Sequence, residues 1–207
     1  MKPILFATAA LVAGALALPQ AAQAAPSVCA AVSGNLINNC GFESGSFSGW
    51  TQSGNTGNTG VSTGFNYDGN TYSPHSGNDF AFLGPVNSNG FLSQTFNDVA
   101  GQSLNVSFYL ASDGLTPNDF AASFDSNTLV SVTNLGAQPY TLYSFDVTAT
   151  GHDTLTIGGF MNNPGYLSLD DVSVSPVTNT VPEPASMALL GTGLVGLGMV
   201  RRRRRAA

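Results

Sequence analysis

Away from its two ends, the chain alternates apolar and polar residues with a period of two, and no segment sustains a 3.6-residue period. The clearest case is Ser103 to Ala111, where Leu104, Val106, Phe108 and Leu110 share one side and Asn105, Ser107 and Tyr109 the other. Asp119 to Asp125 repeats the pattern with Phe120, Ala122 and Phe124 inward, and Phe91 to Phe96 reads as another strand. Leu142 to Thr150 and Asp153 to Met161 read as a pair turned at Thr150-Gly151. In Tyr166 to Ser175, Leu167 and Leu169 have one parity and Val172 and Val174 the other. One face can hold both pairs only if an extra residue is inserted, so a bulge is predicted at Asp170-Asp171.

Clusters of Gly, Asn, Ser, Thr and Asp separate these runs at short intervals. Ser53 to Asn70 is rich in Gly, Asn and Thr and is predicted to be a long surface loop. Many short antiparallel strands in one domain predict an all-β fold, an antiparallel β-sandwich or jelly roll.

The ends follow different rules. Lys2, the apolar run Ile4 to Leu18, Pro19 and the small-x-small site Ala22-Gln23-Ala24 form a secretory signal peptide over 1–24, with the mature chain starting at Ala25. The predicted β-sandwich domain is 25–175. A linker over 176–184 carries Pro182-Glu183-Pro184. Residues 185–200 are apolar and small, and the cytoplasmic tail 201–207 opens with Arg201, Arg202, Arg203, Arg204 and Arg205. Sixteen residues at helical rise span about 24 Å, slightly less than a hydrocarbon core of ~30 Å. A single transmembrane helix is predicted, with the arginines inside and the domain outside the inner membrane.

Pro-Glu-Pro, then a short Gly-rich apolar helix, then a terminal arginine cluster resembles a PEP-CTERM sorting signal. The resemblance implies recognition by the membrane enzyme exosortase, processing near the Pro-Glu-Pro, and an association with extracellular polysaccharide or biofilm matrix. The expected location is the cell surface or beyond, after transient or permanent anchoring.

Charge sharpens the picture. The six basic residues are Lys2 and the five terminal arginines, so none lies between Ala25 and Val200. Twelve carboxylates do: Glu183 in the linker, and eleven in the domain, Glu43, Asp68, Asp79, Asp98, Asp113, Asp119, Asp125, Asp146, Asp153, Asp170 and Asp171. Nucleic-acid binding needs cations against phosphate and is excluded. Anionic polysaccharides would be repelled unless a divalent cation bridged them. In an oxidising compartment, the two cysteines, Cys29 and Cys40, are expected to form a disulfide. Closing so short a loop contributes roughly 2–3 kcal/mol.

Asn35-Leu36-Ile37-Asn38-Asn39-Cys40-Gly41-Phe42-Glu43 with Phe47-Ser48-Gly49-Trp50 resembles the opening of galactose-binding-like jelly rolls, including several bacterial carbohydrate-binding modules. Pro74-His75-Ser76-Gly77, Leu92-Ser93-Gln94-Thr95-Phe96 and Leu169-Asp170-Asp171-Val172 continue the resemblance across the domain, while Cys40 departs from the more usual Gly. The resemblance implies a structural calcium ion joining the first and last strands. Glu43, Asp170 and Asp171 are the matching ligands, with backbone carbonyls near His75 completing the shell.

Sugar binding needs an aromatic platform flanked by amides and carboxylates. Tyr109 beside Asn105, and Tyr67 and Tyr72 around the long loop, are the candidates. Trp50 is assigned to the core. No catalytic constellation is evident: His75 and His152 are the only histidines, and neither a zinc motif nor a phosphate loop occurs. The expected function is non-catalytic polysaccharide binding, ahead of a structural matrix role without a glycan site, with a polysaccharide-degrading enzyme third.

Overall fold

The computed structural model describes residues 26–162 and 165–177. The predicted signal peptide with Ala22 and Ala24, and the predicted transmembrane helix and tail with Pro182, Glu183, Pro184 and Arg201 to Arg205, lie outside the described residues. Among the described residues, no helix is long and apolar enough to cross a membrane.

A 3-10 turn, Val28–Ala31, is followed by twelve strands: β1 Thr51–Gly54, β2 Thr59–Ser62, β3 Phe65–Tyr67, β4 Asn70–Tyr72, β5 Phe80–Leu83, β6 Gly90–Asn97, β7 Ser103–Ser112, β8 Asn118–Phe124, β9 Asn127–Thr133, β10 Gln138–Thr148, β11 His152–Met161 and β12 Leu167–Pro176. One five-stranded sheet has the order β1-β6-β11-β8-β9 and the other β10-β7-β12-β5-β2, while β3 and β4 form a separate hairpin. All strand pairings among the described residues are antiparallel, giving the expected β-sandwich.

The alternation seen in the sequence becomes the core. Leu104, Val106, Phe108 and Leu110 of β7 are fully buried, as are Phe120 of β8, Leu155 and Ile157 of β11, and Leu167, Leu169, Val172 and Val174 of β12. The β12 result requires the predicted bulge. Asp170 pairs with Tyr109 and Ser173 with Ser107, so two residues of β12 stand against one of β7. Asp171 takes a left-handed φ of 50° there, a conformation that Asp tolerates better than most side chains.

Two expectations are corrected. Leu142 to Thr150 and Asp153 to Met161 cover most of β10 and β11, but these strands belong to opposite sheets and do not pair. Each carries its own apolar stripe to the core, Tyr143, Phe145 and Val147 from one side and Leu155, Ile157 and Met161 from the other. The Thr150-Gly151 turn is therefore a crossover. It lies against the β6–β7 connection, with hydrogen bonds from Gly101 N to Ala149 O (2.8 Å) and from Gly151 N to Asp98 Oδ1 (2.8 Å).

The region Ser53 to Asn70 is not one loop, since it holds β2, β3 and parts of β1 and β4. Its strands are three or four residues long and lack an apolar stripe, so periodicity could not reveal them. β2 is held by pairing with β5, β3 and β4 pair with each other, and the Phe65 ring packs against Phe82 at 5.1 Å and Tyr72 at 4.9 Å.

The N-terminal segment closes one end of the sandwich. Asn38 N donates to Gln94 Oε1 (2.7 Å) and Gln94 Nε2 returns a bond to Asn38 O (3.0 Å). Trp50 is buried against Phe42 and donates from Nε1 to Asn39 O. Cys29 and Cys40 are joined in a disulfide.

Candidate functional site

A groove of about 480 Å³ lies on the outer face of the β10-β7-β12-β5-β2 sheet. Its floor is the end of β7 (Ala111 to Asp113) with Ser168 of β12. One wall is Asn70 to Ser73, and the other is Ala137 to Tyr140. Tyr72, Tyr140 and Tyr166 all line it, and its volume falls within the range of small-ligand sites.

Asp113 organises this groove. Its Oδ2 accepts from Tyr72 Oη at 2.7 Å and from Tyr166 N at 2.9 Å, and its Oδ1 accepts from Leu115 N at 2.9 Å. One carboxylate thus ties the β3–β4 hairpin to the start of β12. The Tyr72 and Tyr166 rings meet edge to face at 5.4 Å. Gly165 is required beside them, because a Cβ there would come 2.1 Å from Asp113 Oδ2. Burial, followed by the hydrogen bond to Asp113, pushes the Tyr72 phenol far above its ordinary value, so it stays protonated and donating. Burial also raises Tyr140, with the Asp170 charge adding to it, and Tyr140 Oη donates to Ser73 O at 2.9 Å.

The residues expected to bind sugar are distributed unevenly. Tyr72 lines the groove, but it is buried. Tyr67 lines a smaller recess of about 150 Å³ on the other side of Tyr166, with Asn58, Gly84, Val86, Asn162 and Gly165. Tyr109 is outside the groove lining and lies under the His75 ring, stacked at 3.6 Å. Asn105 is also outside it, donating to Ser144 Oγ and Asp146 Oδ1, both at 2.9 Å. Sequence reasoning missed Tyr140, Tyr166, Asp113 and Gln138. The one local signal was the Gly165-Tyr166 step into the last strand.

The candidate metal ligands do not converge. Asp171 Oδ1 accepts from Ser27 Oγ (2.6 Å) and Cys29 N (3.2 Å), and Oδ2 from Ser76 Oγ (2.7 Å) and His75 Nδ1 (2.7 Å). Asp170 Oδ2 accepts from His75 N (2.8 Å), and Oδ1 from Asp171 N (2.7 Å). Glu43 accepts with both oxygens from Asn78 N at 3.0 Å. All six carboxylate oxygens therefore face N–H or O–H donors, the opposite of what a cation requires. Among the described residues, no three His, Cys, Asp or Glu side chains form a group that could hold a metal. In this arrangement Glu43, Asp170 and Asp171 do not fit calcium. They fit a hydrogen-bonded clasp that ties the N-terminal segment and the 75–79 loop to the β12 bulge.

The clasp divides its charge unevenly. Burial, reinforced by the Asp171 charge, pushes Asp170 up to about 8. Burial also opposes ionisation of Asp171, but hydrogen bonds from Ser27, Ser76, His75 and Cys29 N outweigh it and hold Asp171 below the usual carboxylate range. Serine, histidine and aspartate meet here without forming a nucleophile relay. The Ser76 hydroxyl gives its hydrogen to the carboxylate and not to the imidazole.

Comparisons with known proteins agree with the fold and with the C-terminal sequence. Residues 180–205 match the PEP-CTERM protein-sorting motif. Among solved structures, TmCBM61 in complex with β-1,4-galactotriose is similar at 20% identity and TM-score 0.54, covering 70% of this chain and 99% of that one. The enzymatically active domain of bacteriophage CBA120 tailspike protein 4 is similar at 13% identity and TM-score 0.50, covering 69% of this chain and 21% of that one. A family 16 carbohydrate-binding module is similar at 12% identity and TM-score 0.48, covering 68% and 99%. No curated protein sequence matches the chain. The chain thus has a carbohydrate-binding-module-like β-sandwich fold and carries a PEP-CTERM sorting motif.

Proposed function

We propose that this protein is exported, sorted by an exosortase-type membrane enzyme through residues 180–205, and binds a neutral polysaccharide without cleaving it. The observation that carries the binding reading is the groove itself. Tyr72, Tyr140 and Tyr166 surround it, held in place by Asp113 and by Ser73 O. Aromatic faces stack on sugar rings, while Gln138, Ser168 and Asn70 offer polar partners around them. The absence of any cation from Ala25 to Val200 favours an uncharged polymer over a uronate-rich one.

Non-catalytic action is supported by the groove's donors and acceptors. Asp113 is the one carboxylate of its lining, and its oxygens are engaged by three donors. Glycoside hydrolysis in most families uses two carboxylates across the scissile bond. The reading places the domain outside the inner membrane, at the cell surface or in the extracellular matrix. Calcium is not part of it.

The test is retardation of the chain in native gels containing a neutral β-1,4-galactan, the polymer class suggested by the TmCBM61 complex. Parallel gels contain either the producing cell's own polysaccharide or no polymer. Retardation without release of reducing sugar supports the reading. A structural matrix role is the second reading. It is favoured by the outer-face residues beyond the groove, where Tyr109 is occupied by His75 and Asn105 by Ser144 and Asp146.

A further inference from the structure

The smaller recess beside the groove, about 150 Å³, is lined by no charged side chain. It shares Tyr166 with the groove, so the two cavities meet at that ring. They also meet at the tip of the β3–β4 hairpin. Tyr67 and Asn70 are directly paired there, and Tyr67 lines the recess while Asn70 lines the groove. Opposed side chains of an antiparallel pair share one face, with Cβ atoms about 4.5–5.5 Å apart. The turn between them is Asp68-Gly69, with left-handed φ of 48° and 78°, the two-residue hairpin turn that Asp-Gly favours. So short a turn fixes where Tyr67 stands.

Tyr67 is 43% exposed, the one aromatic ring among the large exposed apolar side chains of the described residues. Its ring leans on Tyr166, 5.5 Å between centroids, and the exposed Val86 stands in the same recess. Gly84 makes room for the Tyr166 ring, because a Cβ there would come 2.6 Å from Tyr166 Cδ1. Asn58 and Asn162 bring amides. Asn162 Oδ1 accepts from Asn87 N, which fixes that side chain and leaves its two N–H donors.

We propose that the recess is a second sugar subsite, seating the next unit of the chain held in the groove; this rests on the reading that the groove binds neutral polysaccharide. An exposed aromatic ring, two amides and no charge make the chemistry that recognises a neutral sugar and offers nothing to a cation or an anion. A complete small-ligand site occupies roughly 300–1,000 Å³, so a recess of about 150 Å³ extends the groove and does not form a separate site. The protein then reads adjoining units across Tyr166, and Tyr67 sets the chain length it prefers.

The test is titration calorimetry of the full chain in detergent against size fractions, disaccharide to hexasaccharide, of a neutral β-1,4-galactan and of the producing cell's polysaccharide. Affinity is expected to rise about fivefold or more from the shortest fraction that binds to the longer ones. Tyr67→Ala is expected to abolish most of that rise while leaving the shortest fraction within about twofold, whereas Tyr140→Ala weakens every fraction. Near-ultraviolet circular dichroism shows that the variants are folded. Asn58→Gly removes an amide at an exposed position whose φ of 51° suits glycine, and is expected to reduce the rise in the same direction. If the ratio of long-fraction to short-fraction affinity is unchanged in both variants while Tyr140→Ala still weakens binding, the subsite is overturned and the groove reading stands. If no fraction gives heat with the folded unaltered chain, both are overturned.

Discussion

Tyr72 Oη donates to Asp113 Oδ2 across 2.7 Å, joining a hairpin that lies outside both sheets to the end of β7. The bond fixes the ring that forms one wall of the groove, and Tyr166 N holds the same oxygen from the other direction. The shape of the groove therefore depends on one carboxylate that is itself fully engaged. Tyr72→Phe keeps the ring and removes the donor. It is expected to cost about 1–2 kcal/mol of stability, as for a hydrogen bond to a charged acceptor, and to weaken polysaccharide binding. Denaturant unfolding and gel retardation measure the two effects.

Gly165→Ala tests the same arrangement from the backbone. Its Cβ would overlap Asp113 Oδ2, so the carboxylate must move and release Tyr166 N or Tyr72. Binding is expected to fall more than in Tyr72→Phe. A variant with unchanged affinity in retardation gels would show that Asp113 does not position the groove.

Asp170 makes stability depend on pH in a direction unusual for a carboxylate. Its folded value, about 8, lies above the unfolded value of roughly 3.9. The folded chain therefore keeps a proton that the unfolded chain gives up above pH ~4. The contribution is complete below pH ~4 and is lost as pH rises toward 8, with a slope of at most ~1.4 kcal/mol per unit. Asp171, held low, acts oppositely and loses its contribution as pH falls through its folded value. Thermal unfolding is expected to peak on the acid side of neutrality, and Asp170→Asn to flatten the decline between pH 5 and 8.

At the other end of the sandwich, Asp98 Oδ2 is buried without a hydrogen-bond partner. Burial and then the neighbouring Asp153 raise Asp98. Its ionised form is disfavoured, so Asp98→Asn is expected to stabilise the protein at pH 8 by about 1 kcal/mol and to have no effect at pH 4. Denaturant midpoints at the two pH values check this.

Because every oxygen of Glu43, Asp170 and Asp171 already accepts from a donor, a chelator is expected to leave the melting temperature unchanged in calcium-free and calcium-containing buffer alike. A rise in melting temperature with added calcium would mean that the 75–79 loop rearranges to offer carbonyls. Reduction of Cys29–Cys40 is expected to cost about 3 kcal/mol by loop entropy alone.

Where one face of a strand meets the core, the sequence pattern carried the fold. The Leu104 to Leu110 stripe and the opposed parities of Leu169 and Val172 were enough to locate β7 and the bulge. Strand pairing was less legible, because an apolar stripe does not say from which side of the core it comes. That is why the pattern alone suggests a hairpin for β10 and β11, which belong to opposite sheets. The groove was least legible. Tyr72, Asp113, Tyr140 and Tyr166 are far apart in the chain, and they meet only because β3–β4 folds over the outer face of the second sheet. Tyr109 had the parity of an exposed platform, but parity could not show that His75 would cover it.

The central claim is that the tyrosine groove binds neutral polysaccharide. Titration calorimetry of the chain and of Tyr140→Ala against a soluble neutral β-1,4-galactan and the producing cell's polysaccharide tests it most directly. The account predicts saturable heat with at least one of them for the unaltered chain, and at least a tenfold loss of affinity in Tyr140→Ala, with near-ultraviolet circular dichroism showing that the variant is folded. Equal affinity in the two proteins, or no heat with either polymer from the folded chain, would contradict it.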